Sequence, residues 1–144
     1  MNKQPYKILF ICIHNSARSQ MAESFLNKYS RGKAFAVSAG IAPGIINPLV
    51  VELMKEEEID ISRKTVNSVT EVIRSGKKFD YVITVCDETS AANCPILPGT
   101  HKLIHWTFDD PSKLTGSAED NLRELKIIRN QIKNRIKDWI IDTF

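Results

Sequence analysis

YKILFICIHNSARSQMAESF, residues Tyr6–Phe25, decides the fold. The run from Ile8 to Ile13 is apolar, β-branched and aromatic, the make-up of a buried strand, while Met21, Ala22, Phe25 and Tyr29 recur on one face of a 3.6-residue period. Cys12 ends the apolar run and Arg18 stands six positions later at the helix start, a C-x5-R spacing, so residues 12–18 form a strand-to-helix turn. Such a turn aims successive backbone N–H groups into one concavity above the positive end of the helix dipole, which makes an anion site. Arg18 adds a planar fork of donors that can grip two oxygens of a tetrahedral oxyanion, a geometry Lys does not reproduce. The same field of N–H groups favours a thiolate at Cys12, and Ser19 can donate a hydroxyl bond to that sulfur. Asn15 tolerates the left-handed backbone that a tight cradle needs.

A chain of 144 residues is long enough for one domain with a proper core and too short for two comfortable ones, so residues 1–144 are read as a single domain. No apolar stretch approaches a membrane span, and the N-terminal apolar run lacks a small-residue cleavage pattern and serves better as the first strand; the expected location is the cytoplasm. A net charge of +3 is mild. Lys126, Arg129, Lys133, Arg135 and Lys137 are spread along one helix among Glu124 and Asp138 and read as a solvated face; nucleic-acid binding needs a denser patch or interleaved aromatics.

Beyond the first helix, Lys33–Ala39 reads as a strand closed by Gly40 and a loop over 41–46. Asn47 caps a helix with Pro48 at its first position, running on to Glu56-Glu57-Glu58. Ser68–Ser75 reads as a short helix stopped by Gly76, and Phe79–Val85 and Lys102–Trp106 as two further strands. From Ala118 to Asp142, Leu122, Leu125, Ile128, Ile132, Ile136, Trp139 and Ile140 step by three and four, the stripe of a long helix that closes one face of the sheet. The alternation implies a three-layer α/β fold: a four-stranded parallel sheet flanked by helices, with its ligand at the carboxyl ends of the strands. Cys12 and Cys86 both fall at such ends.

Three cysteines without a secretion signal argue for reactive thiols rather than a disulfide framework, and with no C-x2-C and no paired His their spacing does not suit zinc. Between Cys86 and Cys94 lies DETSAAN, polar and small, with no apolar stripe to hold a helix down. As a helix it would separate the two cysteines by about 12 Å, beyond the ~7 Å a disulfide tolerates, so joining them demands local unfolding.

The string CIHNSARSQMAE, Cys12 to Glu23, resembles the phosphate-binding loop of the low-molecular-weight tyrosine phosphatase fold, most closely its arsenate reductase branch. FDYVITVCDETSAANCP, followed by Pro98-Gly99 and His105-Trp106, extends the resemblance, and Asp110-Pro111 in HWTFDDP resembles the general acid of the same fold, with Asp109 as runner-up. What the resemblance implies is reduction of arsenate to arsenite. Ile13, His14, Asn15, Ser16, Ala17, Arg18 and Ser19 hold the oxyanion, Cys12 attacks arsenic, and Asp110 protonates the departing hydroxyl. Cys86 then forms a disulfide with Cys12, and Cys94 takes over Cys86. No tightly bound cofactor is implied; electrons come from thioredoxin, or from glutaredoxin or another low-mass thiol system. Phosphate, of the same shape and charge, competes without turnover.

Two other functions fit part of the pattern. A phosphotyrosine phosphatase needs only Cys12, Arg18 and Asp110, but Ser112 and Lys113 stand where phosphatases of this fold place aromatic residues; weak activity on small aryl phosphates is compatible. A phosphate-carrying subunit of sugar transport would need neither Arg18 nor Asp110. The resemblance also has departures. His14 stands where Gly is frequent, and is read as tuning Cys12 or facing solvent; Ala17 leaves one cysteine in the loop. Some members bind potassium beside the loop. Asn15, Glu23 and Ser38 match that pattern, but Asn67 replaces the expected Asp, which weakens such a site.

Overall fold

The computed structural model describes residues 4–85 and 101–144. The apolar run of the opening stretch is β1 (Tyr6–Cys12), and it leads into α1 (Arg18–Tyr29). Then come β2 (Ala34–Gly40), α2 (Pro48–Lys55), α3 (Val69–Arg74), β3 (Tyr81–Thr84), β4 (Lys102–His105), a 3-10 turn over Pro111–Lys113, and α4 (Ala118–Thr143). The described strands form one parallel sheet in the order β2-β1-β3-β4. β1 is central, with Cys12 in register with Gly40.

β1 reads as a continuous apolar run because both faces of the sheet are covered. Ile8, Phe10 and Cys12 point into the larger core, with Phe25 of α1, Leu53 of α2, and Leu125, Ile128, Ile132 and Ile136 of α4. Leu9 and Ile11 point the other way, against Val69 of α3, Ala39 and Val82. The α4 stripe follows the expected spacing, its ends at Leu122, Trp139 and Ile140 only partly buried.

Asn47 is the cap the sequence announces, accepting from Leu49 N at 3.0 Å ahead of Pro48, while Ser68, read as the first residue of a helix, caps α3 instead. Two expectations are corrected. α2 stops at Lys55, because the chain turns over residues 56–58 and Glu58 adopts a left-handed φ of 60°. The basic face of α4 is not simply solvated. Arg129 is buried and donates to Leu53 O (3.0 Å) and Glu56 (2.9 Å), Lys133 pairs with Glu57 at 2.6 Å, and Lys137 lies over the Tyr29 ring. The acidic end of α2 turns part of that face into a helix-docking surface.

Candidate active site

Cys12 is the last residue of β1, and its side chain is buried. The turn that follows is held from outside by the segment after β2. Ile41 N donates to Cys12 O (3.0 Å), Ala42 N to Ile13 O (2.7 Å), Gly44 N to His14 O (2.9 Å) and Asn47 N to Ser16 O (3.0 Å). The C=O and N–H of one trans peptide unit point opposite ways, so the N–H groups of Ile13, His14, Asn15 and Ala17 are turned to the inner side. Asn15, at a left-handed φ of 54°, donates its N–H to Cys12 Sγ at 3.1 Å. Ser19 Oγ accepts from Asn15 Nδ2 (2.8 Å) and lies 2.8 Å from Sγ, so its hydroxyl hydrogen is free for the sulfur. Two donors therefore converge on Sγ, as a thiolate requires. Gly40 makes the packing of loop on strand possible: a β-carbon there would stand 2.8 Å from Asn15 N, from His14 C and from Ile13 O.

The opposite wall comes from the loop after β4. Arg18 is buried and donates from Nη1 to Phe108 O at 3.2 Å, while Nη2 lies 3.6 Å from Asp110 Oδ2. A cavity of about 30 Å³ is lined by Cys12, His14, Ser16, Ala17, Arg18, Asn47, Asp110 and Pro111. Asp110 lines it, whereas Asp109 is exposed. His14 sits on the rim, where Nδ1 donates to Ala42 O at 2.9 Å, which assigns the proton to Nδ1 unless the ring is doubly protonated. Larger clefts lie elsewhere, such as the one along His105, Trp106 and Arg135, which does not include Cys12 or Arg18.

Behind the cradle, Asn15 is fully buried and its Oδ1 accepts from Gln20 Nε2 (3.1 Å) and Asn67 N (2.9 Å). Asn67 Nδ2 donates to Ser38 O at 3.0 Å, and Ser38 Oγ donates to Glu23 Oε1 at 3.1 Å. The second Glu23 oxygen is in ion-pair contact with Lys64 Nζ. Burial pulls the Lys64 ammonium down to about 8, which still leaves it mostly protonated at neutral pH. These contacts decide whether the potassium candidates fit the ion. Asn15 Oδ1, Ser38 O and both Glu23 oxygens already face donors, and Asn67 presents N–H where a carboxylate would present oxygen. Among the described residues Gln20 Oε1 and Glu23 Oε2 are buried without a hydrogen-bond partner, and Glu23 Oε2 is the oxygen that faces the Lys64 ammonium; the one oxygen left over does not replace a hydration shell. The four residues do not suit a potassium ion.

Cys86 and Cys94 lie outside the described residues. Val85, the residue before Cys86, donates its N–H to Ile11 O at 2.9 Å, beside Cys12. Sequence reasoning brought together Cys12, Arg18, Ser19 and Asp110, and it missed the buttress at 41–47, Gln20, Lys64 and the Phe108 carbonyl. Gly40 was the available signal for the buttress, since a glycine closing a buried strand often marks a close backbone approach.

Fold and site together define an α/β protein with a buried cysteine lining a small cavity at the turn between its first strand and first helix. Residues 7–143 match the low molecular weight phosphotyrosine protein phosphatase family, and the chain belongs to it. It is 39% identical over 139 residues to an arsenate reductase of Halalkalibacterium halodurans, covering 96% of each chain. Among solved structures it is similar to an arsenate reductase from Archaeoglobus fulgidus (TM-score 0.72, 30% identity, 92% of this chain and 98% of that one). It is also similar to an arsenate reductase in the phosphate binding state (TM-score 0.77, 28% identity, 96% and 99% covered).

Proposed function

We propose that the protein reduces arsenate to arsenite in the cytoplasm, as part of arsenic detoxification. The observation that carries the reading is the Cys12 sulfur, met by the Asn15 N–H and facing the Ser19 hydroxyl, at the floor of a small cavity that Arg18 also lines. Arsenate takes up the inward N–H groups and the Arg18 fork. The Cys12 thiolate attacks arsenic, and Asp110 protonates the departing hydroxyl, which leaves as water. The Cys86 thiolate then attacks Cys12 Sγ; the S–As bond breaks with its electron pair staying on arsenic, which departs as arsenite, and a Cys12–Cys86 disulfide remains. Cys94 attacks Cys86, freeing Cys12 and passing the disulfide to the 86–94 pair, which thioredoxin or glutaredoxin reduces. Two thiols lose two electrons and arsenic gains two. The Val85 bond to Ile11 supports the relay, because it sets the chain leading into residue 86 beside the nucleophile's strand.

Phosphatase activity is the second reading, favoured by the meeting of Cys12, Arg18 and Asp110 around one cavity. No Phe, Tyr or Trp is among the described residues of its lining, so a phosphotyrosine ring finds no aromatic wall and only weak turnover of small aryl phosphates is expected. The test is arsenite production with thioredoxin, its reductase and NADPH. Wild type turns over repeatedly, Cys12→Ser does nothing, and Cys86→Ser and Cys94→Ser fail to sustain turnover; full multiple turnover in both of the latter would remove the relay.

A further inference from the structure

The Glu23 carboxylate is buried one turn of helix beyond Ser19, and it is tied to the back of the cradle through Ser38, Asn67 and Asn15. A carboxylate buried there needs a positive partner. We propose that Lys64 supplies that charge in place of a metal ion, its ammonium set against Glu23 so that the Glu23–Ser38–Asn67–Asn15 chain holds the Cys12 loop in its binding shape without potassium.

Three features support it. Lys64 reaches Glu23 from the segment between α2 and α3, the same segment whose Thr65 carbonyl accepts from Gln20 Nε2 (3.2 Å) and whose Asn67 N–H donates to Asn15 Oδ1 (2.9 Å). One ammonium thus secures a stretch that touches the cradle twice. Charge balance points the same way: Glu23 and Lys64 neutralise one another, Asn67 contributes none, and an added cation would leave an uncompensated positive charge in a buried site. Finally, Asn67 turns its amide N–H toward Ser38 O, an orientation that a cation bound to that carbonyl would repel. Lys64 touches neither the sulfur nor the cavity lining, so it is a positioning residue.

The inference rests on Cys12–Arg18 being an oxyanion cradle and not on the thiol relay. Its test therefore uses inorganic phosphate and no redox chemistry. Phosphate affinity by calorimetry and the melting temperature are measured in potassium chloride and in tetramethylammonium chloride at equal ionic strength, for wild type, Lys64→Ala and Lys64→Arg. Wild type is expected to give the same values in both salts. Lys64→Ala is expected to bind phosphate about tenfold more weakly in tetramethylammonium, the usual scale for losing a supporting partner, with Lys64→Arg much closer to wild type. Recovery of Lys64→Ala by potassium, and not by tetramethylammonium, is the signature that a merely structural lysine would not give; equal impairment in both salts, with Lys64→Arg no better, overturns the proposal. A saturable potassium effect on wild type overturns the proposal, as does a Lys64→Ala protein that binds phosphate like wild type. Should Lys64→Ala not fold, the wild-type salt comparison and the Lys64→Gln variant decide it by the same criteria. Absence of phosphate binding in wild type would instead sink the reading of the cradle itself.

Discussion

The two walls of the cavity are built by different means. The Cys12 side is a backbone construction: four carbonyls of the turn are taken by N–H groups of residues 41, 42, 44 and 47, and Asn15 is bonded into helix, strand and loop. On the Asp110 side the Arg18 side chain reaches across, donating to Phe108 O and facing Asp110 at 3.6 Å. A wall fixed by many short backbone bonds is preorganised before any ligand arrives, while contacts made by the Arg18 guanidinium face competition from an anion that takes the same donors. On the proposed function, binding falls to the first wall and proton delivery to the second.

Breaking the first wall should have the largest effect. Gly40→Ala sets a β-carbon 2.8 Å from backbone atoms of Ile13, His14 and Asn15, which a rotamer change does not relieve. Overpacking of this kind costs about 1–3 kcal/mol, and we expect a lowered melting temperature together with loss of phosphate binding. A Gly40→Ala protein that binds phosphate normally would show that the buttress is not what shapes the cradle.

Breaking the second wall should separate the two jobs. Asp110→Asn is expected to lower the rate of arsenite formation by roughly 10²–10⁴, the usual range for a general acid, with phosphate affinity little changed or improved as Arg18 loses a competing carboxylate. Asp109→Asn, altering an exposed side chain, should leave both near wild type. Equal losses in the two variants would remove the distinction between them.

The smallest effect concerns the anchor of the buttress. Asn47, whose N–H bonds Ser16 O, also caps α2, and the far end of α2 is pinned by Glu56 to Arg129. The hydrogen bond from Arg129 holds the Glu56 carboxyl below its ordinary value of 4.5, with Lys126 adding to it. A carboxyl lowered on folding stabilises the fold above that ordinary value and loses its contribution as pH falls through the lowered one. The melting temperature should therefore decline slightly below pH 4.5, and Glu56→Gln should flatten that part of the curve. Glu56 is exposed, and solvent screening keeps its contribution to stability small.

Much of this was legible in the residues. The continuous apolar run of β1, the C-x5-R spacing and the α1 face located the cradle, because a strand covered on both faces and a helix with one buried face leave different periods. Asn15 in the left-handed region and Ser19 against the sulfur followed from their side-chain chemistry. The buttress was not legible, since it is made of backbone bonds with no side-chain signature except Gly40. Lys64 was invisible for another reason: its partner lies 41 positions away in the chain, and only the tertiary fold sets them together. Arg129 and Lys133 looked like a solvated face because helix periodicity does not reveal that acidic residues at the end of α2 cover it.

The central claim is that electrons pass from three thiols in a set order, and mass spectrometry of the fully reduced protein after one equivalent of arsenate tests it most directly. The account predicts one equivalent of arsenite, a Cys86–Cys94 disulfide in wild type, and a trapped Cys12–Cys86 disulfide in Cys94→Ser. Arsenite formed with Cys86 and Cys94 still reduced in the wild-type protein would contradict it.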